Sequence, residues 1–380
     1  MVPSILSSVS KSDRTKITVR IASGQEREDF DGFVKGSRYG TILQSWAWGD
    51  VKSRFGWRPV RVIITRGENM VGAASLLYRR ASGIGPGILY APRGPVVDYS
   101  DREVFQAFVL ASRRLAGELN AAFLKIDPEV PVEDHMTNSL FCMHGLRRRE
   151  DQNVFGGIQP RVTWRVPLDG SLDDIFGRFS KNTRYRIRSA EKKGVRIREG
   201  NRDDLETFYE LLYETGRRDG FHIRSFKYFE ALWEFLAPPG HMKLFMAEYE
   251  GQVLAGILPS VFGRGGWGLY AATSNLHRNV GANYPLMWTG LKWAKSRGCE
   301  FFDFGGIPVK VEEGSSAYGL YQFKKGFGGS RMEFIGEYDL ILSPVAYSVW
   351  NSLLKTQAQC RYAGRRVIEY ARGLIRRPVA

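Results

Sequence analysis

The chain contains one pattern of predicted elements twice, and this repeat constrains its fold more than any other feature. In the first half, residues 60–65 and 70–78 are two strand-like segments joined by a tight turn. In the second half, residues 242–247 and 253–261 show the same pattern around a Glu-Gly-Gln turn. Short apolar runs on either side of such a turn predict a β-hairpin in each half.

The similarity continues downstream of both hairpins. A short strand comes next in each half, then an amphipathic helix and a strand that ends in an aspartate: 87–90, 104–121 and Asp127 in the first half, and 267–270, 284–297 and Asp303 in the second. The repeat predicts an α/β (α+β) protein with two similar domains side by side, although two common supersecondary units can also resemble each other by chance. We place the first domain at 1–158, completed by the C-terminal segment 330–380, and the second at 159–329.

Composition narrows the class of protein. The 380 residues are 43% hydrophobic and 25% charged, as is typical of globular proteins. The three cysteines form no C-x-x-C pair, so neither a disulfide framework nor a cysteine zinc site is expected. The sequence shows no signal-peptide core and no apolar run of about 18 residues, so we expect a soluble, cytoplasmic protein.

The sequence carries no motif for covalent or metal catalysis. It has no G-x-S-x-G nucleophile elbow and no H-E-x-x-H zinc helix, and its five histidines form no evident ligand pair. We therefore expect neither a metal nor a cofactor. The formal net charge of +15 favours a polyanionic partner such as nucleic acid, anionic lipid or a phosphorylated substrate, although many basic proteins have no such partner.

The segment 178–198 is the most unusual part of the chain. Ser180 is expected to cap the start of a helix, and Gly194 to follow its end. One face of this helix is apolar, and a separate stripe carries positive charge at helical spacing: Lys181, Arg184, Arg188 and Lys192. Because like charges four residues apart destabilise a helix slightly, the stripe predicts either a phosphate-rich partner or simply a solvated basic face.

A second basic stretch begins at about residue 343. It predicts one or two helices that carry a series of arginines: Arg361, Arg365, Arg366, Arg372, Arg376 and Arg377. We expect this tail to pack back on the first domain or to lie at an anionic surface.

Two single cations stand in sequence contexts that suit phosphate binding. Arg224 directly precedes Ser225, a candidate helix start, and an arginine beside free backbone N–H groups is a good phosphate clamp. Tyr228 follows one turn later. Lys52 lies among three tryptophans, where it could reach a phosphate from a half-buried wall. A surface arginine and an ordinary aromatic core remain the alternatives.

The segment 318–329 combines two lysines with three following glycines, which indicates a tight turn or a close approach of the backbone to another group. It could cradle a phosphate or an acyl ester, but it is not a Walker A motif, and alone it is a weak signal.

Taken together, five segments of the chain resemble the Fem aminoacyltransferase family. The strongest is KNTRYRIRSAEKKGV at 181–195, and four more occur in family order: YAPRGP at 90–95, FDFGGI at 302–307, GLYQFKKGFG at 319–328 and GEYD at 336–339. The resemblance spans roughly 44–339. It implies two domains related to the GNAT N-acyltransferases, an aminoacyl-tRNA donor, and an acceptor amine on lipid II or the UDP-MurNAc-pentapeptide.

The resemblance also implies roles for individual residues. Lys52, Arg224 and Tyr228 match family positions for the phosphates of the precursor, and Phe323 and Lys324 match the pair at the reaction centre. Asp127 and Tyr270 match pocket positions more loosely.

Such roles fit the chemistry. Aminolysis of an ester passes through an oxyanion that a cation such as Lys324 stabilises. The proton lost by the amine could pass to Asp127 or to the substrate's own phosphate.

Two departures from the family pattern affect the substrates. Some members carry a coiled-coil arm, but here the short segment 236–241 occupies its place, so tRNA must bind the globular body, for which the basic stripe at Lys181–Lys192 is the candidate. The nearest match to an acyl-CoA loop, 278–283, ends in Asn283 where a small residue is expected, which argues against coenzyme A.

Two other functions stay open: a GNAT-type acyl-CoA N-acyltransferase that acts on a sugar or polysaccharide, and a non-catalytic RNA-binding protein. The sequence does not distinguish a soluble acceptor from a lipid-linked one at an anionic membrane, nor does it give the amino acid transferred or the oligomeric state.

Overall fold

The structure is a computed structural model that describes residues 5–9, 16–80, 85–149, 154–315 and 317–352. Its strands are β1 Ile5–Val9, β2 Ile17–Ile21, β3 Arg58–Arg66, β4 Asn69–Arg80, β5 Gly87–Ala91, β6 Val96–Val97, β7 Ala121–Ile126, β8 Leu146–Arg149, β9 Val162–Pro167, β10 Arg196–Gly200, β11 Leu244–Tyr249, β12 Gln252–Phe262, β13 Gly265–Thr273, β14 Phe301–Gly306, β15 Ser330–Glu333 and β16 Glu337–Ile341. Its helices are α1 Arg27–Gly36, α2 Trp46–Ser53, α3 Arg102–Leu119, α4 His135–Met143, α5 Leu172–Gly177, α6 Lys181–Lys192, α7 Asp204–Asp219, α8 Phe226–Leu236, α9 Asn283–Ser296 and α10 Tyr318–Gly326.

The first sheet has the strand order β1-β2-β3-β4-β5-β7-β16-β8, with β6 paired to β4. The predicted hairpin is β3–β4, and its turn contains Gly67 at a φ of +58°, a conformation that glycine adopts without steric cost. Strands β5 and β7 run parallel, so the chain must cross between them, and α3 makes this crossing. Asp101 caps the start of α3 by accepting a hydrogen bond from the Val104 N–H.

The second sheet repeats this arrangement in the order β10-β11-β12-β13-β14-β9-β15. Its hairpin is β11–β12, its parallel pair is β13 and β14, and α9 makes the crossing. The two aspartates of the repeat occupy similar places: Asp127 directly follows β7, and Asp303 lies within β14. The repeat therefore reflects the fold, and the predicted tandem α/β architecture is confirmed.

The C-terminal strands return toward the beginning of the chain. Strand β15 pairs with β9 in the second sheet, whereas β16 pairs with β7 and β8 in the first. Residues 344–352 are helical, and Tyr347 and Trp350 of this segment pack on Phe123 of the first sheet. The arginines from Arg361 onward lie outside the described residues, and the exact domain bounds stay a prediction.

A shared core joins the two halves. Trp46, Trp48 and Val51 of α2 belong to the same buried cluster as Phe229 and Leu232 of α8. Burial of a large apolar side chain stabilises a fold by about 1.5–3 kcal/mol, so this cluster fixes α2 against α8. The contact matters for function because Lys52 and Tyr228 lie on these two helices.

No helix in the described residues is both long and apolar enough to cross a bilayer. In the same part of the chain, histidine, cysteine, aspartate and glutamate side chains form no group of three or more that could hold a metal ion. The segment between α8 and β11 is also described, and it contains no inserted coiled-coil arm.

Candidate active site

Lys52 lies in an aromatic pocket between the two halves. Ser45 caps the start of α2, and Lys52 lies in the last turn of this helix. The Lys52 Nζ donates a hydrogen bond of 3.0 Å to the Tyr228 hydroxyl, and it lies 4.7 Å from the ring centre of Trp48 and 4.9 Å from that of Tyr228. Burial, reinforced by the nearby positive charge of Arg224, lowers the pKa of Lys52 to about 7.

Arg224 and Tyr270 complete this group. Ser225 is the N-cap residue of α8, as predicted, so Arg224 directly precedes the helix and its guanidinium carbon lies 5.0 Å from the Tyr228 ring centre. Tyr270 comes from β13. Burial raises the pKa of its hydroxyl, and the positive charge of Arg224 and hydrogen bonds to Tyr228 and Arg224 oppose this shift. The structure thus brings together the four residues predicted for substrate binding: Lys52, Arg224, Tyr228 and Tyr270.

Two cations therefore face each other here. Within the described residues, neither Lys52 nor Arg224 forms an ion pair with a carboxylate, and the charge that acts on Lys52 is that of Arg224. Lys52 is partly buried and Arg224 is exposed, and the repulsion between the two cations is relieved when one anion binds both. The group is therefore suited to bind an anion such as a phosphate.

Lys324 lies in the last turn of α10 and is only 7% exposed. Its Nζ donates a hydrogen bond of 2.6 Å to the Gly306 carbonyl oxygen. Burial lowers the pKa of Lys324 to about 8, and the negative charge of Asp303 opposes this shift. Gly305 has a φ of +77°, and a Cβ added there would stand 4.0 Å from the Lys324 Nζ, so the absence of a side chain keeps the space before the ammonium open.

Asp303 is the carboxylate that acts on Lys324, and the sequence analysis gave it no role. Its Oδ1 accepts a hydrogen bond of 2.7 Å from the Gly305 N–H, and its Oδ2 accepts bonds from Thr163 at 2.8 Å and from the Arg165 Nε at 2.7 Å. A signal was present in the sequence: Asp303 is the counterpart of Asp127 in the repeat and belongs to the FDFGGI segment.

Asp127 is buried in the first half of the chain. Its Oδ1 accepts a hydrogen bond of 2.6 Å from the Arg93 N–H, and its Oδ2 accepts one of 2.7 Å from the Tyr90 hydroxyl. Burial raises the pKa of Asp127 to about 7, against the opposing charge of Arg93. Both oxygens are thus engaged by groups of the same half, and the role of Asp127 as general base stays a prediction.

Phe323 lines a cleft of about 440 Å³ between α6, α9 and α10. Its ring packs edge-on against Tyr284 at 5.2 Å, and Asn182 and Gln322 supply polar groups to the same wall. Lys324, the next residue of α10, is not among the residues that line this cleft.

The basic stripe of α6 divides into two kinds of residue. Ser180 caps this helix as predicted. Arg184 donates a hydrogen bond of 2.7 Å to the Gly177 carbonyl, and Arg188 lies 5.3 Å from the Phe176 ring centre, so both pack on the end of α5. Lys181 and Lys192 are exposed.

Arg186 and Arg278 line a second cleft of about 240 Å³. Arg186 belongs to none of the predicted site residues. The Arg186 guanidinium carbon lies 6.0 Å from the ring centre of Tyr284, which lines both this cleft and the one beside Phe323. A role of the stripe in tRNA binding stays a prediction.

Comparison with known proteins identifies the family. The sequence profile of the FemAB family matches residues 25–250 and 240–355. The chain belongs to the FemAB family. A lipid II:glycine glycyltransferase of Staphylococcus aureus (strain MRSA252) is 28% identical over 392 residues, which cover 85% of this chain and 93% of that protein.

Solved structures agree with the family. The crystal structure of FemX superposes with a TM-score of 0.80 at 27% identity and covers 85% of this chain and 98% of that chain. A tandem GNAT protein from the clavulanic acid biosynthesis pathway superposes with a TM-score of 0.53 at 11% identity, covering 86% of this chain and 99% of that one. This second similarity concerns the fold alone, and it matches the tandem GNAT-like architecture of the FemAB chain.

Proposed function

We propose that this chain transfers an aminoacyl group from aminoacyl-tRNA to an amine of a peptidoglycan precursor, either lipid II or the UDP-MurNAc-pentapeptide, in the formation of the interpeptide bridge. Membership of the FemAB family and the similarity to the staphylococcal lipid II:glycine glycyltransferase support the acceptor. The observation that carries the proposal is the meeting of Lys52 and Arg224, from different halves of the chain, around the Tyr228 ring, where neither pairs with a carboxylate of the described residues.

In this proposal the aromatic pocket holds the phosphates of the precursor. Lys52 and Arg224 supply the positive charge, and the hydroxyls of Tyr228 and Tyr270 donate hydrogen bonds. Because the pKa of Lys52 is about 7 without an anion, a bound phosphate favours its ammonium form. The two cations then change from mutual repulsion to joint attraction for the substrate, which makes this pocket selective for a dianion or diphosphate.

The reaction itself is aminolysis of an ester. The acceptor nitrogen forms a bond to the aminoacyl carbonyl carbon, the ester C–O bond to the tRNA ribose breaks, and the amine proton ends on the released hydroxyl. The intermediate carries an oxyanion, which the Lys324 ammonium beside Gly306 would stabilise electrostatically. Phe323 would hold the aminoacyl end in the cleft that it lines, and alignment of the two reactants would contribute to the rate. Asp127 and the substrate phosphate both remain candidates for the proton acceptor.

We further propose that tRNA binds the globular body through α6. The exposed Lys181 and Lys192 support this, as does the cleft that Arg186 and Arg278 line. The protein would then work in the cytoplasm, and contact with the anionic inner face of the membrane would bring it to a lipid-linked precursor. The net charge of +15 is consistent with both polyanionic partners.

A binding titration tests the acceptor. The protein is titrated separately with UDP-MurNAc-pentapeptide and with acetyl-CoA, and binding is followed by tryptophan fluorescence, since Trp48 lies in the pocket. We expect the precursor to bind, and binding to be lost in Lys52→Ala and Arg224→Ala. Binding of acetyl-CoA alone would contradict the proposal and favour an acyl-CoA-dependent transferase. Binding of RNA that Lys324→Ala leaves intact, without any transfer, would indicate a non-catalytic RNA-binding protein.

A further inference from the structure

Arg165 of β9 lies between two buried carboxylates that come from the two halves of the chain. Its Nε donates to the Asp303 Oδ2 at 2.7 Å, and its Nη2 forms an ion pair with the Oε2 of Glu129. Glu129 belongs to the segment after β7, whereas Asp303 belongs to β14. The side chains of Arg165, Glu129 and Asp303 are 15%, 12% and 2% exposed, so water screens their charges weakly.

Glu129 also joins Arg165 to a second arginine. The Arg93 Nε lies 3.6 Å from the Glu129 Oε1, and the Arg93 backbone N–H binds Asp127. The ring of Phe334 contacts both arginines: its centre is 5.0 Å from the Arg93 guanidinium carbon and 5.1 Å from that of Arg165. The charges therefore alternate in one continuous chain from Asp127 to Asp303, fixed around an aromatic ring.

The end of this chain of charges acts on the proposed reaction centre. Asp303 is the charged group that favours the ammonium form of Lys324. Burying a carboxylate to 2% exposure is costly unless cations and N–H groups compensate for its lost hydration. Arg165 is the cation that does so here, and Glu129 limits the positions that Arg165 can take. Lys325, the other charge beside Lys324 in sequence, lies over the Tyr321 ring.

We infer that Arg165 and Glu129 are positioning residues, which hold the Asp303 carboxylate in place so that its negative charge favours the ammonium form of Lys324 at the Gly306 carbonyl. The catalytic significance of this arrangement rests on the proposed function, whereas the electrostatic link does not depend on it. The link also makes the reaction centre in the second half depend on a side chain from the first half. Separate halves of the chain would therefore lack a correctly charged Lys324.

The titration of Lys324 tests the link without any substrate. The full-length protein is labelled with acetic anhydride between pH 6 and 10, Lys324 acetylation is measured by peptide mass spectrometry, and each titration is normalised to its own plateau at high pH. Only the neutral amine reacts. We expect Asp303→Asn to increase Lys324 labelling at pH 6 about tenfold, equivalent to one unit of pKa, and Glu129→Gln to increase it about threefold. Both effects have the same sign because each variant removes a negative charge.

A matched control separates this link from general loss of stability. Asp204 is a carboxylate 16% exposed that pairs with Arg198 and takes no part in the chain of charges. Asp204→Asn should leave the Lys324 titration unchanged. If Asp303→Asn does not fold, the Lys324 titration in Glu129→Gln still tests the inference. An unchanged Lys324 titration in folded Glu129→Gln overturns the inference, whereas an inactive wild-type protein with the expected titrations overturns the proposed function alone.

Discussion

Replacement of Lys52 by methionine should stabilise the protein while removing precursor binding. Folding lowers the pKa of this lysine from 10.5 to about 7. At about 1.4 kcal/mol per pKa unit, holding the ammonium in the pocket costs about 5 kcal/mol. Methionine fills similar space without a charge, so the free energy of unfolding at pH 6 should rise by up to about 5 kcal/mol.

The pH dependence gives this prediction a definite sign. Because the folded pKa lies below the unfolded one, the folded state binds fewer protons between about pH 7 and 10.5. The wild-type protein therefore gains stability from this group as the pH rises through that window. Lys52→Met has no such gain. Its advantage should be complete below about pH 7 and should shrink toward zero as the pH approaches 10.5.

Urea unfolding at pH 6 and pH 10, followed by circular dichroism, measures this difference. Lys292→Met is the control, because Lys292 also lies over a tryptophan ring, 5.8 Å from the centre of Trp288. The difference in stability from the wild type should change more between pH 6 and pH 10 for Lys52→Met than for this control. A Lys52→Met protein that is less stable than the wild type at pH 6, or whose difference from it does not change with pH, would refute the reasoning.

Three further predictions concern the reaction centre and its surroundings. Lys324→Ala should lower kcat at least 100-fold but leave the Kd for the precursor nearly unchanged, since removal of one oxyanion-stabilising group has about this effect; steady-state transfer and equilibrium binding measure the two. Arg224→Ala should weaken precursor binding roughly 10- to 100-fold by calorimetry, because it removes a charge-assisted contact, and an unchanged Kd would contradict its assignment. Gly326→Ala should lower the thermal midpoint, because the new Cβ would stand 2.4 Å from the Thr183 Oγ1, whereas Gly319→Ala on the same helix meets nothing within 4 Å and should not.

Local features of the site could be predicted from the sequence because they depend on neighbouring residues. Ser180 caps α6 with its side chain as expected, since such a cap needs only that side chain and the N–H groups that follow. Ser225 starts α8 as expected, although its side chain makes no capping hydrogen bond. The crossing helices were also found to within two residues at each end, because their apolar periodicity is strong. The resemblance to the Fem family then indicated that Lys52 and Lys324 belong to the site.

Long-range electrostatics could not be predicted in the same way. Arg165 and Asp303 are 138 residues apart in sequence, and their pairing depends on the antiparallel register of β9 and β14. The repeat drew attention equally to Asp127 and Asp303, but only packing shows that Asp303 is the carboxylate that acts on Lys324. Likewise, the helical spacing of the basic stripe on α6 was predicted correctly. The spacing did not show that Arg184 bonds to the Gly177 carbonyl while Arg186 lines a cleft.

The most direct test of the account is transfer itself. Purified protein is incubated with radiolabelled aminoacyl-tRNA and with lipid II or UDP-MurNAc-pentapeptide, and the precursor is separated and counted. The account predicts that label moves from the tRNA to one of these precursors with the wild-type protein and remains on the tRNA with Lys324→Ala. Label that stays on the tRNA with every precursor and every aminoacyl group tested, in a protein that binds the precursor, would contradict it.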